Sequence, residues 1–232
     1  MGLTLCIPAY NEAAFIGDTV DDTVEYLHQL DSVEEFEVVV VDGGSEDSTP
    51  SIVKNRSEEQ PEVHLIKIEG LLKGESIMEC FSRSNSRFFI FMDADGATDI
   101  THLKEMMEGL EEYSIVVGSR RNPDRTFLRL VYSKAYNLIV KTVFGSKISD
   151  HQCGFKGFRS KDVEQLFEDL ESRHWFWDTE MLIKAQRRDL SIREIPIRWQ
   201  EKNGSNVNLF RDSLNFLGKI IELRYRLWRK KQ

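Results

Sequence analysis

The sequence has 232 residues and a mass of 27.0 kDa, with 31 Lys and Arg against 39 Asp and Glu, a formal net charge of −8. That length fits one large α/β domain or two small ones, and the acidic balance excludes a protein that binds nucleic acid with its whole surface. Cys6, Cys80 and Cys153 lie far apart with no CxxC spacing, which excludes a disulfide framework and reads as reduced thiols of a cytoplasmic protein. The chain opens on a strand and a polar turn, so no secretory leader is expected. No apolar run approaches the ~18–20 residues needed to cross a bilayer, so the expected protein is soluble or peripheral on a membrane.

Leu3 to Ile7 reads as a short apolar strand stopped by Pro8. Asn11-Glu12 then opens a helix through about Leu30, with Ile16, Val20, Val24 and Leu27 at helical spacing. Phe36 to Val41 is too apolar for a surface strand and belongs in the centre of a parallel sheet. After Asp42-Gly43-Gly44-Ser45, Ser48-Thr49-Pro50 supplies a cap residue and an early proline for the next helix. Val63 to Ile68 is a third strand and Gly74 to Ser84 a third helix. Phe88 to Met92 is the fourth strand, followed by a helix from about Ile100 to Glu112 and a fifth strand at Ile115 to Val117. Strands alternating with helices predict a parallel, doubly wound sheet for residues 1–118.

The second half is less regular. Phe127 to Phe144 reads as helix, and Asp150 to Arg159 ("DHQCGFKGFR") as a loop with two glycines. Helices at about 161–170 and 178–188, then a strand at Ile192 to Trp199, follow. From Phe210 onward, Phe210, Leu214, Leu217, Ile221 and Trp228 fall at helical spacing.

Ligands of an open parallel sheet bind outside the carboxyl ends of its strands. Three such ends here are Pro8-Ala9-Tyr10-Asn11-Glu12, Asp42-Gly43-Gly44-Ser45 and Asp93-Ala94-Asp95. Each alone is ordinary turn chemistry; three within about 95 residues make a site the better reading. "FFIFMDADGATD" admits two chemistries. Asp93 could be the nucleophile of an aspartate-dependent phosphatase, or Asp93 and Asp95 could hold a divalent cation against a nucleotide-sugar diphosphate. The phosphatase reading leaves the first 90 residues without a role and lacks a late acidic pair for magnesium.

The ordered set "CIPAYNE", "VVVDGGSEDS", "LLKGES", "MDADGATD" and "VGSRR" resembles the inverting family 2 glycosyltransferases. "DHQCGFKGF", "WFWDTEML" and "IPIRWQEKNGS" bring the likeness to their polyprenyl-phosphate sugar transferases, most of all the dolichyl-phosphate β-glucosyltransferases, over roughly residues 3–228. The resemblance implies a GT-A fold: an α/β, Rossmann-like, mostly parallel sheet flanked by helices, with a C-terminal amphipathic helix. It implies one domain over 1–232, with a nucleotide-sugar half at 1–118, an acceptor half at 119–209 and a basic amphipathic helix at 210–232. It places Pro8, Tyr10 and Glu12 around the nucleoside, Asp42 on the base and Lys73 near the donor. Asp93 and Asp95 become ligands of Mg²⁺ or Mn²⁺, which prefers oxygen donors and keeps several waters. Ala97 stands where mannosyl-transferring relatives carry a ligand side chain, which favours glucose, from UDP-glucose, as the transferred sugar.

On the acceptor side, Arg120, Arg121, Arg125, Arg129 and Lys134 face one acid, Asp124, between positions 120 and 134, a local net +4 (five minus one). A charge run of this kind is commonly a solvated helix face. A polyprenyl phosphate acceptor, however, needs guanidinium groups that grip phosphate bidentately, and the resemblance points to Arg120, Arg129 and Lys134. A sugar or protein hydroxyl acceptor would instead need a carboxylate base, for which Asp150 is the candidate catalytic residue, with Asp178 and Glu180 behind it and Gln152 a further substrate contact; the adjacent His151 reads as structural. The tail from Lys219 to Lys231 carries six bases and one acid interleaved with Ile220, Ile221, Leu223, Leu227 and Trp228. It reads as a packed helix with a solvated basic face, or as an interfacial helix on anionic lipid at the cytoplasmic membrane face. A transferase acting on a sugar or protein hydroxyl, and a nucleotide-sugar-binding regulator without turnover, are the competing functions.

Overall fold

A computed structural model describes residues 2–120, 127–200 and 209–229, with side chains described at 2–120, 130–200 and 217–229. The strands are β1 (Leu3–Ala9), β2 (Phe36–Asp42), β3 (Val63–Lys67), β4 (Phe88–Met92), β5 (Ile115–Arg120), β6 (Phe155–Arg159) and β7 (Ile192–Ile197). The helices are α1 (Ile16–His28), α2 (Thr49–Glu59), α3 (Lys73–Arg83), α4 (His102–Glu112), α5 (Phe127–Phe144), α6 (Ser160–Glu168), α7 (Trp177–Arg187) and α8 (Leu209–Arg229).

The strands form one mixed sheet in the order β3-β2-β1-β4-β6-β5-β7. All run parallel except β6, which pairs antiparallel with both β4 and β5. The parallel register of β1 with β2 and with β4 brings Ala9, Asp42 and the residues after Met92 to one edge, as an alternating strand-helix order requires. The mostly parallel sheet flanked by helices is the expected architecture. The expected loop at Asp150 to Arg159 is corrected: Phe155–Arg159 is a central strand, and Phe155 and Phe158 are buried on opposite faces. Two glycines and a lysine hid it. Gly157 has no side chain because a Cβ there would meet the Met106 sulfur at 2.7 Å, and Lys156 is buried for reasons of charge.

Boundaries shift at two loops. The first helix starts at Ile16 rather than Asn11, since Asn11 takes a positive φ of 56° that no helix continues. Ser48 makes no side-chain cap bond; the Asp47 carboxylate accepts from Thr49 N–H at 2.9 Å instead. The predicted helical face of α1 is otherwise as expected, with Ile16, Val20, Val24 and Leu27 all buried.

One apolar core lies between the sheet and α1, α2 and α4; another lies on the opposite face under α3, α6 and α7. The second is built of aromatic rings, with Phe91 and Phe158 stacked and Trp177 set edge-on to Phe91 at 5.7 Å. A third cluster joins α7 to α5 and α8 through Phe176, Ile183, Val140, Ile220, Leu223 and Leu227. Helix α7 is therefore buried on both sides, and its polar residues are buried with it. The sheet draws strands from both of the expected halves.

His151 ties these layers together. Its Nδ1 lies 2.7 Å from Asn137 Oδ1 and its Nε2 2.8 Å from Ser146 Oγ, which in turn accepts from Gln186 Nε2 at 2.9 Å. Burial, with Lys156 nearby, pushes the imidazole pKa down to about 4, so the ring is neutral. The unfolded chain takes up this proton near pH 6.5 and the folded one only near 4. Stability present above pH 6.5 should therefore fall by about 3 kcal/mol as pH drops to 4. Urea unfolding across that range should show the loss, and His151→Asn should flatten it.

Candidate active site

The edge of the sheet expected to take the donor is built by cross-bracing two loops. The loop after β1 is tied to that after β2: Asn11 N–H donates to Ser45 Oγ at 2.8 Å, Glu12 N–H to Thr49 Oγ1 at 2.8 Å, and Ala13 N–H to Asp47 Oδ2 at 3.1 Å. Asn11 Oδ1 accepts from Glu46 N–H at 2.8 Å in return. Pro8 is half-buried, Tyr10 projects its ring into solvent and Glu12 is half-buried beneath it. Asp42 is fully buried, its carboxylate accepting from Ser45 N–H at 3.2 and 3.3 Å. Gly43 lets the chain pass Leu71, whose carbonyl would lie 2.7 Å from any Cβ.

The strand β4 delivers Asp93 and Asp95 to the same edge. Asp95 Oδ1 accepts from Ala97 N–H at 3.0 Å, a local turn completed by Gly96 with φ of 61°. Asp93 is held from two directions. Its backbone N–H donates to the Gly154 carbonyl at 3.0 Å, and its Oδ1 receives the Lys73 ammonium at 2.6 Å. Lys73, at the first turn of α3, lies 4.9 Å over the Trp175 ring, 5.6 Å over the Phe91 ring and 4.0 Å from Asp178 Oδ2.

The strand β5 contributes Arg120 at its last residue. Arg120 forks onto Asp150, Nε to Oδ2 and Nη2 to Oδ1, both at 2.7 Å, and its backbone N–H adds a third bond at 3.2 Å. Burial works against the guanidinium charge and Asp150 more than offsets it, so the pKa stays above the ordinary arginine value. Asp150 is thus spent on orienting Arg120. Asp178 is spent similarly, on Lys156 Nζ at 2.5 Å, and Glu180 pairs with Lys184 at 2.7 Å while accepting from Ser172 N–H at 2.8 Å. Gln152 is half-buried on the same loop, and Lys134 is exposed on α5. The side chains of Arg121, Arg125 and Arg129 lie outside the described residues.

The charge at this edge is unbalanced. Glu12 is pushed up to about 7 by burial and then by Asp95, Asp93 and Asp47. Burial and Asp93 also raise Asp95, which among the described residues has no ion-pair partner. Carboxylates that repel one another around an open edge are the donor set a divalent cation fits. Among the described residues no three Asp, Glu, His or Cys side chains converge to hold a metal by themselves. Asp93 and Asp95 are the residues that would hold a cation here, with its remaining ligands coming from outside the chain.

Residues 4–167 match the model of glycosyl transferase family 2. The chain belongs to this family. Over 97% of its length it is 38% identical to glycosyltransferase AglD of Haloferax volcanii and 30% identical to the dolichyl-phosphate β-glucosyltransferase of Dictyostelium discoideum. It spans 37% of the first relative's length and 74% of the second's. The glycosyltransferase shares its fold with glucosyl-3-phosphoglycerate synthase from Mycobacterium tuberculosis in complex with Mn²⁺, UDP and phosphoglyceric acid, at 17% identity and a TM-score of 0.72 over 96% of this chain and 78% of that one. The sheet and its flanking helices are the GT-A fold that the motif order implies.

At one edge of the sheet Glu12, Lys73, Asp95 and Arg120 all lie near enough to Asp93 to feel its charge, and Asp150 grips Arg120. Sequence reasoning missed Gly154, Lys156 and Trp175. The available signal was a lysine between Phe155 and Phe158, a charge placed where an apolar neighbour is expected.

Gly154 shows how tight the packing is: a Cβ there would fall 1.7 Å from Asp93 Oδ2 and 2.2 Å from its Cγ. Since the obstructed atoms are the tip of a side chain, Gly154→Ala should turn the carboxylate aside and leave the sheet intact. Transfer from the nucleotide sugar should drop about 10²-fold, the scale expected for displacing a reacting group by about 1 Å. Initial rates, read beside an unchanged thermal melt, check this.

Proposed function

We propose that this glycosyltransferase moves a hexose, glucose from UDP-glucose, onto a polyprenyl phosphate of the dolichyl type, with inversion and with Mg²⁺ or Mn²⁺. The observation that carries the reading is the state of the acceptor-side carboxylates. Asp150 is gripped by Arg120 and Asp178 by Lys156, so neither stands ready to take a proton. An acceptor hydroxyl needs such a base. A phosphate monoester is already an anion near neutral pH and attacks without one. The names of the relatives as dolichyl-phosphate β-glucosyltransferases support the same acceptor.

In this mechanism Pro8, Tyr10, Glu12 and Asp42 seat the nucleoside, and Asp93 and Asp95 face the diphosphate. A divalent cation there supplies charge neutralisation to the leaving group. Arg120, held in a fixed orientation by Asp150, receives the acceptor phosphate, with Arg129, Lys134 and Gln152 completing its site. Positioning and charge complementarity furnish most of the rate, because no proton is moved.

The acceptor's home is a bilayer. No helix of the described residues is long and apolar enough to cross one. On α8, Ile220, Leu223 and Leu227 pack inward, whereas Leu217, Ile221, Tyr225 and Trp228 form an exposed stripe, Ile221 being 71% exposed. Leu138 of α5, which packs beside α8, is also exposed. This stripe, flanked by Lys219, Arg224 and Arg229, is the interfacial surface on anionic lipid that we assign to the cytoplasmic membrane face.

Two measurements test the proposal. With labelled UDP-glucose and a polyprenyl phosphate, label should enter the organic phase, chelation should abolish transfer and Mn²⁺ should restore it. Asp95→Asn should lower turnover by ~10³-fold or more without unfolding the protein. Label that stays in water on a sugar or protein would establish a hydroxyl acceptor, and no transfer would establish a regulator. Separately, the protein should co-sediment with vesicles containing anionic lipid. Ile221→Ser with Trp228→Ser should lower that partitioning by about tenfold or more, from the apolar area withdrawn.

A further inference from the structure

Lys156 is the least expected residue of the core. It lies on the central strand β6, fully buried, between aromatic rings, where an apolar side chain would cost far less to bury. Its ammonium donates to the Cys153 carbonyl and to Asp178 Oδ1, both at 2.5 Å, and lies 5.4 Å over the Phe91 ring. The other oxygen of Asp178 lies 4.0 Å from Lys73 Nζ, and Lys73 reaches Asp93 Oδ1 at 2.6 Å. Lys156, Asp178, Lys73 and Asp93 thus form a chain of alternating charge, from the centre of the sheet to the donor edge. Two cations and two anions balance within it. Exposure rises along it only at its end, from 0% and 3% at Lys156 and Asp178 to 11% at Lys73 and 32% at Asp93.

Lys73 is the member that links the two pairs. It is shared unequally between two carboxylates, and Trp175 and Phe91 offer its ammonium aromatic faces on the way. A buried ion pair contributes little net stability, so a second buried lysine that exists only to neutralise Asp178 calls for a functional account. Were Lys156 absent, Asp178 would carry a full uncompensated charge and draw Lys73 away from Asp93. Were Asp178 absent, Lys73 would be left to Asp93 alone.

We infer that Asp178 and Lys156 are positioning residues of the transfer reaction that act through Lys73. Lys156 sets how strongly Asp178 pulls on Lys73, and so how firmly Lys73 covers Asp93 as its counter-cation before the donor arrives. When the nucleoside diphosphate and its divalent cation engage Asp93, Lys73 gives up that carboxylate and turns its ammonium to the diphosphate. This deepens the proposed function and rests on its donor and cation.

The test is Mn²⁺ binding to the 232-residue protein by calorimetry without nucleotide, followed by KM and kcat for UDP-glucose. Lys73→Met removes the competitor for Asp93, so Mn²⁺ should bind about tenfold tighter, while KM for the donor rises about tenfold. Lys156→Met should shift both in the same sense but less. Asp178→Asn should do the opposite to Mn²⁺, weakening it by about fivefold as Lys73 settles on Asp93. Loss of structure moves all three variants in one direction, so opposite signs are the signature. Added to Lys73→Met, Lys156→Met should have no further effect on donor KM, because its action passes through Lys73. If Asp178→Asn alone fails to fold, with Lys156 buried and unpaired, the double variant Asp178→Asn with Lys156→Met removes the pair together and should still weaken Mn²⁺. Same-sign shifts in Mn²⁺ affinity, or additive effects on KM, would overturn the inference while wild-type transfer stands. A wild-type protein that binds neither Mn²⁺ nor UDP would overturn the proposed function and this inference with it.

Discussion

The start of β6 against the end of β4 is the contact on which the site depends. Asp93 can present its carboxylate at the donor edge only because Gly154 has no side chain, and its backbone is fixed by a hydrogen bond to that same residue's carbonyl. One close approach therefore joins the loops that follow the parallel strands early in the chain to the Cys153-to-Arg159 segment that comes much later. Asp150 and Arg120 sit just beyond it and Lys156 just inside it. The reversal of strand direction at β6 brings this second set of groups to the first.

Around that contact, the polar groups are arranged in pairs and chains. Arg120 with Asp150, and Lys156 with Asp178, occupy positions too buried for an isolated charge, and each is satisfied by a bidentate or multiple hydrogen-bonded partner. At the open edge the carboxylates of Glu12 and Asp95 are both raised by burial and by their acidic neighbours. An acidic protein thus holds two cations, Lys73 and Arg120, at this edge, each placed by a carboxylate. Net charge taken over the whole chain, −8, says nothing of this.

Most of the frame was legible from pattern alone. The runs at Leu3 to Ile7, Phe36 to Val41 and Phe88 to Met92 are apolar strands broken only by Thr4 and Glu37, and Ile16, Val20, Val24 and Leu27 are an unambiguous helix face. The ends of those strands carry the polar motifs, so the donor edge could be read too. The strand β6 could not, since Gly157 and Lys156 obey tertiary demands: a helix passing close on one side and a buried carboxylate on the other. Asp150 and Asp178 illustrate the same limit. Their positions near the site follow from the motifs. Their pairing with Arg120 and Lys156 depends on contacts 30 and 22 residues apart in sequence. The Ser48 cap failed for a smaller reason: Pro50, two residues on, has no amide hydrogen to donate, and Asp47 takes the Thr49 N–H.

The place of β6 in the sheet also governs how the chain must be assembled as it is made. β4 is five consecutive buried apolar residues, and its second neighbour is not β5 but a strand that ends 67 residues after Met92, at Arg159. Until that strand emerges, a growing chain carries Phe88 to Met92 with one hydrogen-bonding edge open and flat, the geometry that recruits strands from other molecules. β5 waits likewise, since both its partners follow it. Closure of the sheet is a late, long-range event with a large entropy of loop closure. A ribosome pausing between residues 92 and 155 would hold the most adhesive part of this protein exposed, and a holdase that masks aromatic-rich segments would find its target there.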